Sequence, residues 1–482
     1  MTSRIDKSEL FATLPTAWAQ DPLPAIRAAI TAAPRKVVVL DDDPTGTQTV
    51  HDVPVLTIWD VETLQAELMN DLPCFYLLTN SRSLTAEAAG ELNREIAHNL
   101  AAAAVRVGRD FVVVSRSDST LRGHFPLETD VLAQILGPFA AIILCPYFEA
   151  GGRYTVNDVH YVAEGESLVP VSETPFARDA AFGYRSSNLC EWVAEKSGDA
   201  TMAKTVASIS FEDIRIGGPD AVCERLLTLS EGQVCVVNAA CLRDLEVVVQ
   251  GLLAAERLGK RYLFRTAASF VAARLGLSPR PLLTAVDLKL GAGGGLTVVG
   301  SYVPKTTEQL QRLLGAGGAC AVEIRVDALL ADATRAGEMR RTAAETNRLL
   351  SEKKDVVVFT SRALITGTDA AASLAIGRRI SDALVELVQN LSVRPRYLMA
   401  KGGITSSDLA TRGLGVKRAM VLGQLLPGVP VWELDSTTKF PALPYIVFPG
   451  NVGDADALKN AAAKLSLRET ANQQPSSLTL SK

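Results

Sequence analysis

The chain has 482 residues, of which 48% are hydrophobic and 21% are charged, and its formal net charge is −4. This length predicts two domains of ordinary size, and the composition excludes a largely disordered chain. The small negative charge, without a cluster of lysine and arginine, argues against a nucleic-acid or anionic-membrane partner, and no apolar run is long enough to span a membrane.

The pattern of residues 1–35 predicts a helical extension that several prolines interrupt. The first predicted strand follows at "KVVVL". The N-terminus lacks an apolar signal core, which predicts a cytoplasmic protein. Strand-like segments such as "CFYLLT", "DFVVVSR", "AAIILCPY", "QVCVVNAA" and "RYLFRT" then alternate with helix-like segments such as "TAEAAGELNREIAHNLAAAAVRV". This alternation predicts a mostly parallel sheet covered by helices over residues 36–290.

A glycine-rich break, "LKLGAGGGLTVVG", is typical of a hinge between domains. Beyond it, strand-like segments again alternate with helix-like ones over residues 291–470, and the polar tail at 471–482 is expected to fray. The fold class predicted from the sequence is α/β, with two α/β domains, each a mostly parallel sheet flanked by helices. The active-site cleft is expected between the two domains.

Polar residues follow the predicted strands of the first domain. The segments are Asp41-Asp42-Asp43, "TNSRS", "SRSDSTLRGHF" and "CPYFEAGGRYTVNDVHY". Ligands of open α/β sheets bind beyond the carboxyl ends of the strands, so these side chains are expected to face one ligand. A single Asp or Ser at such a place is as often a helix N-cap, but three adjacent carboxylates are expected to meet a cation, an arginine or a donor-rich substrate.

The side chains of these segments suit a small, polyhydroxylated, anionic ligand. Carboxylates accept hydrogen bonds from hydroxyl groups, and guanidinium groups bind a carboxylate with two parallel hydrogen bonds. The candidate arginines for that role are Arg82, Arg116, Arg122 and Arg153. The histidines nearby match no metal-ligand spacing, so no protein metal site is predicted.

The second domain carries three turns in which a strand, a glycine, a hydroxyl or amide residue and a helix follow one another. They contain Gly300-Ser301, Gly402-Gly403 with Thr405, and Gly450-Asn451 with Gly453. Such turns present backbone N–H groups to phosphate, and three in one domain favour nucleotide binding over a purely structural role. None of them is a Walker A or GxGxxG sequence.

Three functions fit these patterns. The first is a two-domain kinase with Mg²⁺-bound ATP in the second domain and a carboxylate as base in the first. The second is a phosphatase of the haloacid-dehalogenase type, because Asp41, Asp43 and Thr45 resemble its nucleophile motif, with Asp41 as nucleophile and Asp43 as acid and base. The third is a protein that binds a sugar acid or nucleotide without catalysis.

Seven segments together resemble the four-carbon acid sugar kinase family, formerly catalogued as a domain of unknown function. They are "DDDPTGTQTV", "SRSDSTLRGHF", "CPYFEAGGRYTVNDVHYV", "FRTAASF", "VVGSYVPKTTEQL", "KGGITSSDLA" and "FPGNVGDADAL". The resemblance implies phosphorylation of tetronates such as threonate, erythronate or oxo-tetronates by ATP. It also implies an acid-sugar domain before a nucleotide domain, and family and size together suggest a homodimer.

Carried onto this chain, the resemblance implies two sets of site residues. The acid-sugar pocket contains the catalytic candidates Asp42, Asp43 and Asp118 together with Arg82, Ser119, Arg122 and Arg153. The nucleotide site contains Ser301, Gly402, Gly403, Ile404, Thr405, Ser406, Gly450, Asn451 and Gly453.

Two segments depart from the pattern that many members share. Those members have an Asp-Asp-x-Thr-Gly-Ala motif and an Arg-Gly-Asn motif, whereas this chain has Asp-Pro-Thr-Gly-Thr-Gln and Arg122-Gly123-His124. Because the altered residues fall in the implied sugar pocket, an acid of different size or configuration is expected.

Overall fold

Strands and helices alternate along the chain in the computed structural model, which describes residues 4–301, 303–362 and 370–466. The chain divides into two units, Met1–Pro279 and Arg280–Lys482, named here the N-terminal and the C-terminal unit. The domain limits expected from the sequence, with a division near residue 290, stay a prediction. The tail 471–482 lies outside the described residues.

The N-terminal unit contains strands β1–β12 and helices α1–α9. The strands are Ile5–Asp6, Lys36–Asp41, Val53–Leu56, Cys74–Leu78, Phe111–Arg116, Ala141–Cys145, Arg153–Val156, Val159–Glu164, Ser167–Pro170, Ala207–Ile209, Val234–Val237 and Tyr262–Thr266. The helices are Lys7–Ala12, Leu23–Ala32, Val61–Met69, Ala86–Val107, Leu127–Leu136, Leu189–Ser197, Gly218–Leu227, Leu242–Arg257 and Ala268–Arg274.

Most strands of this unit form one parallel sheet in the order β10-β11-β6-β12-β5-β2-β4-β3. Every residue of β2 is buried, as expected for a Val-rich strand covered on both faces. Helix α4 matches its sequence signals, because the Thr85 hydroxyl caps its first turn and Gly108 ends it in the left-handed region at φ 62°.

A second, antiparallel sheet in the order β1-β9-β8-β7 was not expected from the sequence. Three of its strands, β7, β8 and β9, lie in the segment after Tyr147, whose aromatic and charged residues do not alternate cleanly. The N-terminal extension contains helices α1 and α2 and also contributes β1 to this sheet. Long-range pairing, rather than local pattern, decides such a short strand.

The C-terminal unit contains strands β13–β19 and helices α10–α15. The strands are Leu296–Val299, Ala319–Ile324, Asp355–Thr360, Leu398–Lys401, Arg418–Leu426, Val429–Leu434 and Pro444–Phe448. The helices are Pro304–Gly315, Val326–Leu330, Asp332–Ser351, Ala370–Gln389, Gly403–Asp408 and Ala457–Lys464. The strand β17 was missed from the sequence.

The strands of this unit lie in the order β17-β18-β19-β16-β13-β15-β14. The five strands from β19 to β14 pair in parallel, whereas β17, β18 and β19 pair antiparallel. The predicted α/β class with mostly parallel sheets is confirmed. The cleft between the domains stays a prediction. No helix in the described part of the chain is both long and apolar enough to cross a membrane.

Candidate functional site

The central strands of the N-terminal sheet end at the same level. Asp41 at the end of β2 pairs with Leu78 of β4 and with Arg116 of β5, and Arg116 pairs with Thr266 of β12. The polar segments that follow these strands therefore meet at one edge, as the sequence analysis expected. We call this group the charged rim. Its members are Asp41, Asp42, Asp43, Arg82, Arg116, Asp118, Arg122, Glu128, Arg153 and Arg265.

Asp41 is the most enclosed carboxylate of the charged rim. Its Oδ1 accepts a hydrogen bond from Arg116 Nη1 at 3.0 Å. The backbone of Gly46 covers it so closely that a Cβ on Gly46 would lie 2.1 Å from Oδ1 and 2.2 Å from Oδ2. Burial raises the pKa of Asp41 to about 7, although Arg116 opposes the shift. The phosphatase alternative requires a phosphoryl group on Asp41. These contacts leave no space for one.

Asp42 is buried but keeps one carboxylate oxygen free. Its Oδ1 lies 3.4 Å from Arg116 Nη1, whereas Oδ2 has no hydrogen-bond partner in the described residues. Burial raises the pKa of Asp42 to about 6, and the guanidinium groups of Arg82 and Arg116 limit the rise. Asp42 is therefore largely ionised at neutral pH and has an unused acceptor.

Asp43 is held by a hydroxyl group and an arginine. Its Oδ1 accepts hydrogen bonds from Thr45 N at 2.9 Å and Thr45 Oγ1 at 2.5 Å, and its Oδ2 accepts one from Arg82 Nη2. Burial acts to raise the pKa of Asp43, but Arg82 and the Thr45 hydroxyl outweigh it and hold the pKa below its usual value. Asp43 therefore stays ionised and orients Arg82.

Asp118 is tied to two arginines. It accepts a hydrogen bond from Arg122 Nε at 2.7 Å and lies 3.6 Å from Arg82 Nη1. Burial acts to raise the pKa of Asp118, but Arg122 and Arg82 more than reverse this and hold it far below its usual value. Ser119 follows, and its carbonyl oxygen accepts a hydrogen bond from His160 Nε2 at 2.8 Å. The structure thus brings Asp118 and Ser119 to the charged rim.

Arg153 differs from the other arginines of the charged rim. Within the described residues, its guanidinium group forms no ion pair or hydrogen bond, and Nε is buried without a partner. It lies over the Phe176 ring at 5.6 Å, next to Arg122, which lies 5.1 Å from the same ring. Arg122 also lies 3.6 Å from Asp179. Arg153 is therefore the rim arginine that is available to an anionic ligand.

Two further buried residues belong to the charged rim: Arg265, a polar strand-end residue that was not among the candidate site residues, and Glu128, which was missed. Arg265 lies 3.8 Å from Glu128, and Arg265 Nη1 and Glu128 Oε2 both lack hydrogen-bond partners in the described residues. Gly123, at φ 125°, approaches so closely that a Cβ would lie 2.9 Å from Arg265 Nη2 and 3.4 Å from Asp42 Oδ2. A strand-end arginine in "LFRT" is the sequence signal for Arg265. Glu128 gives no signal, because it lies inside helix α5.

His124, at the position that departs from the Arg-Gly-Asn pattern, contacts the backbone of a neighbouring loop. Its Nε2 lies 3.1 Å from the carbonyl oxygens of both Ser81 and Leu84, and its ring packs edge-on against Phe182. His124 therefore fastens the loop that carries Arg82. Its ring binds the backbone of this loop. The replacement of the Asn of the Arg-Gly-Asn motif by His124 therefore changes a contact to the loop.

In the C-terminal unit, the three glycine turns converge at the carboxyl ends of β13, β16 and β19. A Cβ on Gly402, which has φ 117°, would lie 3.2 Å from Ser301 Cβ, and a Cβ on Gly450 would lie 3.8 Å from Ser301 Oγ. A Cβ on Gly300 would lie 2.4 Å from Thr405 Oγ1. The absence of side chains thus lets three backbone segments approach each other. This is a cradle of the kind that phosphate groups occupy.

The other predicted nucleotide residues lie in the same turns. Ile404 is exposed, Gly403 and Thr405 lie beside it, and Asn451 and Gly453 are exposed in the third turn. Ser406 is buried, and its hydroxyl donates to the carbonyl oxygens of Ala400 and Gly402 at 2.9 and 2.7 Å. Ser406 therefore stabilises the turn through its side chain.

One charged residue at the glycine turns was missed. Lys401, the last residue of β16, is completely buried, and its Nζ donates to the carbonyl oxygens of Pro449 at 2.7 Å and Gly450 at 3.2 Å. Burial lowers the pKa of Lys401 to about 7. Its signal in the sequence is a lysine at the end of an apolar strand, directly before two glycines.

Among the described residues, no group of three acidic, His or Cys side chains could hold a metal ion.

Comparison with known families matches both units. The model of a sugar-binding N-terminal domain matches residues 37–274, and the model of a nucleotide-binding C-terminal domain matches residues 296–458. The first region contains the whole charged rim, and the second contains all three glycine turns.

Two curated enzymes are similar over most of their length. A D-erythronate kinase of Heliobacterium modesticaldum is 26% identical over 453 residues, which cover 87% of this chain and 95% of that enzyme. A D-threonate kinase of Cupriavidus necator is 26% identical over 395 residues, which cover 79% of this chain and 85% of that enzyme.

Solved structures show the same fold. The crystal structure of Haemophilus influenzae protein HI1011 has a TM-score of 0.62 and 18% identity, covering 89% of this chain and 100% of that chain. A Salmonella typhimurium crystal structure has a TM-score of 0.65 and 16% identity, with the same coverage of 89% and 100%.

Proposed function

The chain belongs to the four-carbon acid sugar kinase family, in which a sugar-binding N-terminal domain precedes a nucleotide-binding C-terminal domain, and we propose that it phosphorylates a tetronate. The family and the class of enzyme predicted from the sequence, an ATP-dependent kinase of sugar acids, are confirmed. The proposal goes beyond the class of enzyme, because it names the acceptor as a four-carbon monocarboxylic acid of the erythronate or threonate type. The location in the cell and the homodimer stay predictions.

The pairing of arginines and carboxylates in the charged rim supports this choice of acceptor. Arg82, Arg116, Arg122 and Arg265 each face at least one carboxylate within 4.0 Å. In the described residues only Arg153, of the rim arginines, has no carboxylate within that distance. A ligand with one carboxylate group can pair with this guanidinium group, which suits a planar carboxylate. The rim oxygens then remain for hydroxyl groups of the ligand.

Asp42 is the best candidate for the base that receives the proton of the acceptor hydroxyl. Asp41 is enclosed by Gly46 and Arg116, while Asp43 and Asp118 are held ionised by arginines. Asp42 has a free Oδ2 and a pKa of about 6, so it is ionised at neutral pH and still basic enough to accept a proton. Asp43 and Asp118 then orient Arg82 and Arg122.

The glycine turns fit the phosphate groups of ATP. In the cradle around Ser301, Gly402 and Gly450, a Cβ on either glycine would approach the Ser301 side chain, at 3.2 Å for Gly402 and 3.8 Å for Gly450. Lys305 lies beside the third turn, with Nζ 3.4 Å from the carbonyl oxygen of Asn451. Residues of these turns would hold the phosphates through backbone N–H groups. ATP supplies the phosphoryl group, and Mg²⁺ neutralises charge on it. Mg²⁺ takes most of its ligands from phosphates and water, so it does not need a cluster of protein carboxylates.

The test is ADP release with ATP and Mg²⁺ against a panel of acids. The panel contains erythronate, threonate, their oxo derivatives, a five-carbon aldonate and the dicarboxylate tartrate. We expect acid-dependent ADP release with four-carbon monocarboxylates at the highest kcat/KM. Parallel reactions contain the tetronate phosphates without ATP and are assayed for free phosphate. ADP release with none of the tetronates, or phosphate release without ATP, would contradict the proposal.

A further inference from the structure

Lys401 is a buried positive charge without a negative partner. The residue has 0% exposure at the end of β16, and within the described residues it forms no ion pair. Its Nζ contacts two carbonyl oxygens and lies 4.1 Å from the centre of the Phe448 ring. A buried ammonium group without a carboxylate is costly unless something compensates it. The kinase reaction as described above gives this lysine no role.

The two carbonyl contacts of Lys401 fix two successive peptide groups. The carbonyl of Pro449 shares a peptide plane with the N–H of Gly450, and the carbonyl of Gly450 shares one with the N–H of Asn451. Thr306 Oγ1 also donates to the carbonyl of Gly450, at 3.3 Å. In a trans peptide the N–H points away from the C=O. Lys401 therefore turns two N–H groups to the side of the turn opposite its own side chain.

Neither of these N–H groups has an acceptor in the described part of the chain. Among the described residues, the N–H groups of Gly450 and Asn451 donate no hydrogen bond to backbone or side chain. Two neighbouring N–H groups that point the same way form a concave site for an anion. The cradle at Ser301 and Gly402 adjoins this site, because a Cβ on Gly450 would lie 3.8 Å from Ser301 Oγ.

We propose that Lys401 is a positioning residue for the nucleotide: it holds the Pro449–Gly450 turn with the two N–H groups facing a phosphate, and it takes up a proton when that phosphate binds. This inference rests on the proposed function, since it names how the same site recognises ATP or ADP. The proton comes from solvent and forms an N–H bond at the Nζ lone pair. No bond of the nucleotide changes.

The charges around Lys401 explain why its protonation depends on the ligand. The charged group that acts on its pKa is also positive, Lys305 from α10. Arg362 after β15 adjoins the first turn, since its Nη2 donates to the carbonyl of Ser301 at 2.8 Å. The third turn also carries two carboxylates: Asp454 accepts a hydrogen bond from the N–H of Asp456 at 3.1 Å, and Asp456 pairs with Lys459. Burial and Lys305 lower the pKa of Lys401 to about 7 in the free protein. A phosphate anion reverses the sign of this field and raises the pKa, so the complex binds more protons than the free protein does.

The experiment is calorimetric titration of the full chain with Mg²⁺ and ADP between pH 7.5 and pH 9. Each titration is run in two buffers with different ionisation enthalpies, which gives the number of protons taken up. Over this range the terminal phosphate of the nucleotide is ionised. We expect uptake of about half to one proton per ADP at pH 8, and an affinity that falls by up to about tenfold per pH unit as pH rises.

The variant Lys401→Met should bind Mg²⁺ and ADP at least about tenfold more weakly at pH 7.5, without proton uptake and with little dependence on pH. Lys305→Met is the matched control: it removes a lysine next to the same turn, so it should weaken binding but keep the proton uptake. If Lys401→Met does not fold, the wild-type titration remains decisive. Wild-type binding without proton uptake, or uptake that Lys401→Met retains, would overturn the inference. Absence of any wild-type ADP binding would instead overturn the nucleotide site of the proposed function.

Discussion

The charged rim and the glycine turns offer different groups to an anionic ligand. In the rim these groups are arginine side chains, and among the described residues Arg153 is the rim arginine without a carboxylate within 4.0 Å. In the glycine turns they are backbone N–H groups, and Lys401, which forms no ion pair in the described part of the chain, donates to two carbonyl groups of the third turn. We therefore expect specificity in the rim to depend on the pairing of side-chain charges. We expect binding at the turns to depend on backbone conformation.

The largest expected effect follows from replacing the proposed base in the rim. Asp42→Asn keeps the shape of the side chain but removes the carboxylate that we propose accepts the proton. We expect kcat to fall by roughly 10²–10⁴-fold, the usual contribution of a general base. The measurement is the initial rate of ADP release with erythronate or threonate, together with a thermal melt that shows the variant is folded.

The comparison with neighbouring carboxylates decides whether Asp42 has this role. Asp43→Asn loosens Arg82, so it should raise the KM for the acid and should also lower kcat, but less than Asp42→Asn does. Wild-type kcat in Asp42→Asn, with a large loss in Asp43→Asn, would assign the base to Asp43.

The next effect tests Arg153, the rim arginine without a carboxylate partner among the described residues. Arg153→Gln should raise the KM for a monocarboxylic acid by roughly 10–100-fold, because a hydrogen bond to a charged group contributes about 1.5–3 kcal/mol. The kcat should change much less. Arg178→Gln is the control, since Arg178 is an exposed arginine of the same region. Equal effects of the two variants on KM would show that general electrostatic attraction, rather than a specific contact, binds the acid.

The glycine turns should respond to a change that leaves every charge in place. Gly402→Ala puts a Cβ at φ 117°, 3.2 Å from Ser301 Cβ, and such backbone strain costs about 1–3 kcal/mol. We expect ADP affinity to fall about tenfold, while the KM for the acid stays unchanged. Gly415→Ala also puts a Cβ at a positive φ, 70°, but no described atom lies within 4 Å of that Cβ. It should lower the melting temperature without lowering ADP affinity.

The two sites also differ in how well the sequence predicted them. The rim arginines and aspartates follow apolar strands directly, and parallel pairing brings strand ends together, so Asp42, Asp43, Arg82 and Asp118 could be found from the pattern. The pattern could not rank them, because burial by Gly46 and pairing with arginines arise only in the folded chain. Glu128 was missed because its position in helix α5 gives no sequence signal, and Lys401 was missed although it ends an apolar strand directly before two glycines. Their roles come from contacts distant in the sequence.

Asp179 offers the smallest and most specific test of the charge balance. Its Oδ1 accepts hydrogen bonds from the N–H groups of Ala181 and Phe182 at 2.9 and 3.1 Å, which directs Oδ2 to Arg122 at 3.6 Å. Asn at this position can still accept both backbone hydrogen bonds through its amide oxygen. Asp179→Asn therefore removes the charge and leaves the loop in place.

In Asp179→Asn, Arg122 loses one of its two carboxylate partners, so the rim gains positive charge beside Arg153. A dicarboxylate such as tartrate should then bind about two- to fivefold more tightly than to the wild type, because partly exposed ion pairs contribute about 0.5–1 kcal/mol. The affinity for erythronate should stay nearly constant. Competition against the best monocarboxylate measures both values, and Asp199→Asn, a similar cap of an exposed turn, is the control. If tartrate binds no better to Asp179→Asn than to Asp199→Asn, the shape of the pocket, and not the unpaired Arg153 guanidinium, sets the preference for one carboxylate.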